Sequence, residues 1–140
     1  MNILTILLYA SGAFAIVLGL LHFTFPQRFG FFAALPADGP PLPPYRLLFY
    51  RYDMKRSDLR GIIYVMNHCV SYVIVMAGVF DLFVSRWLGT FSGSLAAGTV
   101  AGLWFVRAGT QFYLGQRRGD WFVMGLFAFL ATLHALAAFQ

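Results

Sequence analysis

The chain has 140 residues, 60% of them hydrophobic and 11% charged, with a mean hydropathy of +0.73. That is more apolar surface than one small soluble core can bury, so the surplus faces lipid and a soluble globular enzyme is excluded. The formal charge of +5 is gathered between apolar runs rather than spread in a patch, which assigns it to membrane interfaces and disfavours nucleic-acid binding.

The first apolar run, 3–25, has about the 20 residues that a helix rising ~1.5 Å per residue needs to cross ~30 Å of hydrocarbon. It has no basic n-region and is too long for an h-region, so it is predicted as a retained helix rather than a signal. Ser11, Ala15 and Gly19 form a small-residue stripe that His22 continues, which turns this histidine inward.

Segment 26–60 holds all six prolines, between Pro26 and Pro44, and so lies outside any span. FGFF at 29–32 and LLFYRY at 47–52 alternate with Arg28, Arg46, Arg51, Lys55, Arg56 and Arg60. This is the character of a loop lying among headgroups, each cation contributing about 1 kcal/mol at an anionic surface. The same loop could serve as a lid over a site. Ser57 and Asp58 are expected to cap the helix that follows.

The second run, 61–84, sets Tyr64, His68, Ser71 and Val75 on one face with Asn67 at its border. The single cysteine, Cys69, excludes an internal disulfide framework, and it lies about 100° from His68, against both ligating one metal. Asp81 and Arg86 are expected to pair at the far interface. In the third run, 93–114, Ser94, Gly98 and Gly102 make another small-residue stripe, while Arg107 and Gln111 are an i, i+4 pair. The chain has no glutamate and no acid at the depth of Arg107, so this guanidinium either snorkels or holds a carbonyl-bearing or anionic ligand. Arg117 and Arg118 follow in the connection 115–120. In the fourth run, 121–139, His134 reads as a packed histidine beside Ala131, Ala135 and Ala138.

The expected fold is all-α: a single transmembrane domain over 1–140, an up-down antiparallel four-helix bundle with a long loop between its first two helices. Basic residues resist translocation, and eight fall in loops 26–60 and 115–120 against Arg86 opposite. Both loops are therefore placed in the cytoplasm and both termini outside it, in a multi-pass protein of the bacterial inner membrane.

Measured from the cytoplasmic ends, His22 and Gln111 lie roughly 6 Å deep, Asn67 and His68 roughly 9–10 Å and Arg107 roughly 12 Å. One polar layer is thus expected, walled by Tyr64, Ser71 and Trp104, that binds an amphiphile such as a quinone, lipid or isoprenoid. Arg107 and Gln111 would hold its head, and His22 or His68 would transfer a proton. Two other readings compete: haem or metal held by His22 and His68, and a non-catalytic subunit assembling with a copy of itself or a partner membrane protein through its glycine stripes. No phosphate loop, HExxH, paired catalytic carboxylates, zinc pattern or serine elbow is present, so whether the chain is an enzyme stays open.

The stretch GLLHFTFPQRFGF, 19–31, resembles the end of the first helix in DoxX-like small membrane proteins, where Gly-x-x-His-Phe precedes a proline and an aromatic. The plan of four spans in about this length is similar too. The resemblance carries over only His22 and Pro26, and implies a membrane partner of redox or sulfur metabolism, or a quinone-associated subunit.

Overall fold

The computed structural model describes residues 2–114 and 117–140; Gly115 and Gln116, in the predicted 115–120 connection, and the Leu47 side chain lie outside the described set. In chain order the elements are α1 (Ile3–Phe23), α2 (Phe25–Arg28), α3 (Phe31–Ala34), β1 (Tyr45–Leu47), β2 (Tyr50–Tyr52), α4 (Arg56–Leu82), α5 (Val84–Trp87), α6 (Phe91–Gly109), a 3₁₀ turn (Thr110–Tyr113) and α7 (Arg118–Ala138). The mostly helical class expected from the apolar runs is observed.

Three helices, α1, α4 and α7, are long and apolar enough to cross a membrane. Helix α6 has 19 residues but is not one of them, because glycines, serines, Thr99 and Arg107 dilute its apolar content. Along the helices, large apolar side chains such as Val17, Val65, Phe105 and Phe122 stand exposed. On a water-facing surface so much exposed apolar area would be a liability, whereas against lipid it is the expected state.

Local chemistry moves the predicted ends. Thr24 turns its hydroxyl back to the Leu21 carbonyl at 2.7 Å, and Pro26 opens the separate turn α2, so α1 stops at Phe23. Helix α4 starts five residues before 61, because the Asp58 carboxylate accepts from the Lys55 backbone N–H at 3.1 Å; Asp58, not Ser57, supplies the cap. Thr90 accepts from the Gly93 N–H at 3.0 Å and starts α6 two residues early. Asp120 accepts from the Arg117 N–H at 2.8 Å and starts α7 at Arg118.

The contacts divide the chain into two compact units, Met1–Ala15 with Ala77–Gln140, and Ile16–Met76. In the first, Leu8, Val84, Trp87, Ala97, Leu133 and Ala137 form the buried core, with Leu4, Tyr9, Phe80 and Leu88 packed on it. Gly12 lets α1 touch α4 here: a Cβ on it would stand 2.8 Å from the Gly78 carbonyl oxygen and 2.9 Å from the Asp81 Cβ. The glycine stripe of α6 has no such role within the unit. A Cβ on Gly102 meets nothing within 4 Å, and Gly102 instead lines an open apolar groove of about 440 Å³ with Ala101, Phe105, Ala131, Thr132 and Ala135.

In the second unit Gly19 brings α1 against α4, where a Cβ would fall 2.9 Å from the Ser71 carbonyl oxygen. The stretch 45–52, read as part of an interfacial loop, closes into an antiparallel β-hairpin instead, with Tyr45 opposite Tyr52, Arg46 opposite Arg51 and Leu47 opposite Tyr50. Four of those six strand residues are β-favouring aromatics or Leu in alternation with arginine, a period-2 pattern.

Candidate functional site

In the unit formed by Ile16–Met76, three of the expected polar residues join α1 to α4. The Asn67 amide donates to the His22 carbonyl at 3.1 Å, and His22 Nδ1 lies 3.3 Å from the Ser71 hydroxyl. That hydroxyl donates its only proton to the Asn67 carbonyl at 2.6 Å, so the imidazole Nδ1–H is the donor to it. Asn67 and Ser71 are buried and His22 half-buried. This is a closed network, and its role is to fix the end of α1.

Tyr64 and His68 are different. The His68 Nδ1–H donates to the Tyr64 carbonyl at 2.7 Å, one turn back on its own helix, which leaves Nε2 as the nitrogen able to accept. Nε2 has no hydrogen-bond partner among the described residues, and the side chain is exposed, its ring 5.7 Å from that of Phe23. The two rings lie nearly parallel, 6.5 Å apart, while Phe31 and Phe32 stand 6.0 and 5.2 Å from the Tyr64 ring. Arg60 lies over Phe32 at 4.9 Å. Within this apolar surround the Tyr64 hydroxyl is buried without a hydrogen-bond partner among the described residues. A buried hydroxyl left unmatched costs about 1–3 kcal/mol, so it marks a place where an acceptor is wanted.

In the unit containing Ala77–Gln140, Arg107 and Gln111 do meet. The guanidinium donates to Gln111 Oε1 at 2.8 Å, the Gln111 amide donates onward to Asp120 at 3.0 Å, and the guanidinium also lies 4.8 Å over the Phe127 ring. Arg107 thus reaches a carboxylate through one glutamine, an acid that its own depth in the sequence did not reveal. Trp104 stacks on Phe127 at 5.4 Å and is buried, with its indole N–H unpartnered among the described residues.

The most buried polar pair of this unit is one that the sequence reading separated. Asp81 does not take Arg86: its carboxylate meets His134 Nε2 at 2.9 and 3.1 Å, with both side chains essentially inaccessible. His134 Nδ1 lies 2.7 Å from the Leu130 carbonyl and must carry a proton to be there. Nε2 can approach both carboxylate oxygens only across a second proton, which the pair shares. His134 is therefore a packed histidine, as expected, but one that neutralises a buried acid.

Among the described residues, no three His, Cys, Asp or Glu side chains come together as a metal-binding group. Comparison with family models, curated proteins and solved structures finds no match.

Proposed function

We propose that the chain is an integral membrane protein of four spans, α6 included, that binds the polar head of an amphiphilic molecule at Tyr64 and His68. Its basic loop 26–60 and the connection after α6 face the cytoplasm and its termini lie outside, a placement that the distribution of Lys and Arg supports. The observation that carries the ligand reading is the buried Tyr64 hydroxyl, unpartnered among the described residues, on a ring that faces the exposed His68 ring at 6.5 Å and packs against Phe31 and Phe32. The hydroxyl offers a donor and the imidazole an acceptor, which suits a head with both functions, such as a quinone and its quinol or an isoprenoid alcohol. When a quinol or alcohol head gives up its O–H proton, His68 Nε2 would take it.

His22 contributes by holding α1 in place, and Arg107 with Gln111 is already satisfied by Asp120 and Phe127, so neither is assigned to the head. The resemblance of 19–31 to DoxX-like proteins points toward the same quinone-associated class.

Native mass spectrometry of protein extracted in mild detergent tests the reading. A retained amphiphile is expected on the wild type, reduced by about tenfold or more in Tyr64→Phe and in His68→Leu, since each loses a hydrogen bond otherwise unmatched. Equal retention by all three proteins would remove the assignment.

A further inference from the structure

The hairpin β1–β2 is built in a way that its own stability does not explain. Two strands of three residues are marginal in water, and a two-residue turn of this kind normally carries Asn-Gly or similar residues that accept positive φ. Here the turn is Leu48–Phe49, and Leu48 sits at φ +52°, a conformation that a bulky side chain adopts only against strain. Both turn residues are bared, Leu48 at 88% and Phe49 at 98%, with Tyr50 beside them at 82%. The register then sets Arg46 directly opposite Arg51, a repulsive cross-strand pair, relieved among the described residues by an exposed contact of Arg51 with Asp53 at 3.4 Å. Tyr45 and Tyr52 flank the two cations on the opposite face of the hairpin.

The bare apolar tip and the crowded cations are both resolved by one environment: a layer apolar at the tip, anionic at the level of the arginines and suited to tyrosine between. The location supplies it. Only residues 53–55 separate β2 from α4, a helix apolar and long enough to cross a membrane, and three extended residues reach about 10 Å. We propose that the hairpin is a membrane-interface anchor, in which Leu48 and Phe49 dip below the headgroups of an anionic lipid surface while Arg46 and Arg51 bind its phosphates. The inference rests on the membrane reading of α4 and is independent of the ligand at Tyr64.

The test uses the full chain in nanodiscs of phosphatidylcholine alone or with equal parts of phosphatidylglycerol. In a Cys69→Ser background, a nitroxide is attached at Phe49→Cys, and at Asp38→Cys for an exposed reference in the same loop. With phosphatidylglycerol, the label at 49 is expected to be several-fold less accessible to an aqueous nickel chelate than the label at 38, and more accessible to oxygen. In phosphatidylcholine alone this shielding weakens. A label at 49 as open to nickel as that at 38 in the anionic discs would overturn insertion, and equal shielding in both lipids would overturn the anionic preference.

A second variant separates lipid from protein as the cover. Leu48→Asn with Phe49→Gly suits the turn better and keeps the hairpin, so a label at Tyr50→Cys should become nickel-accessible when these two are changed. Shielding at 50 that persists in this variant would mean that a protein surface covers the hairpin, and would contradict the proposal.

Discussion

His134 of α7 and Asp81 of α4, 53 residues apart in the chain, share one proton at 2.9 Å in the buried part of their unit. Each makes the other tolerable there. An ionised carboxylate alone at 1% exposure would be costly, and the imidazole provides the only hydrogen-bonding partner it has among the described residues.

The two halves of this pair are unequal, and single substitutions should show it. His134→Leu leaves a buried acid without a partner and is expected to cost about 3–5 kcal/mol. Asp81→Leu leaves a neutral histidine still bonded to the Leu130 carbonyl, with one nitrogen unmatched, for about 1–3 kcal/mol. The double variant should recover most of the larger loss, because an apolar pair of similar volume can replace a buried ionic one. Thermal unfolding in mild detergent reads all three, and additive losses in the double variant would show that the residues are not coupled.

Two helix glycines should respond in opposite ways. Gly12→Ala drives a methyl to within 3 Å of the Gly78 carbonyl and the Asp81 Cβ, and is expected to destabilise by about 1–3 kcal/mol. Gly102→Ala enters open space and gains helix propensity, so it should be neutral or stabilising by up to about 1 kcal/mol. The same unfolding assay distinguishes them, and equal losses at both positions would mean that Gly102 is covered by something outside this chain.

Gln111 carries the link between Arg107 and Asp120. Gln111→Leu removes an acceptor from one and a donor from the other, so a loss of about 1–3 kcal/mol is expected. Arg107→Leu in the Gln111→Leu background should then cost little more than its lost contact with Phe127. A full additional loss on that second change would place another partner on Arg107.

Much of the fold was legible because hydrophobic length is a long-range signal: the four apolar runs became α1, α4, α6 and α7 within a few residues. The ends differed where single side chains decide them, as at Asp58, Thr90 and Asp120, since several neighbouring residues could have capped equally well. The hairpin was missed because prolines and arginines mask the alternation of 45–52 as a loop. The polar layer was read in part. Depth brought His22 level with Asn67, and Arg107 with Gln111, but it could not say which bonds close and which stay open.

The Asp81–His134 pair was missed through measuring every depth from one side. Counted from the Val84 and Phe139 ends of their runs, Asp81 and His134 lie roughly 5 and 8 Å in, the same layer, and Asp81 is the lone carboxylate in any run. Two ionisable residues near the same end of their runs thus form the most buried ion pair among the described residues.

The proposed four-span topology requires α6 to cross the bilayer, and cysteine accessibility measures that directly. In a Cys69→Ser background, single cysteines at Pro36, Thr90, Arg118 and Gln140 are labelled in intact cells with a membrane-impermeant maleimide. Labelling at 90 and 140 with protection at 36 and 118, lifted when the cells are opened, is the predicted result. Positions 90 and 118 labelled from the same side would contradict it, because α6 would then not span.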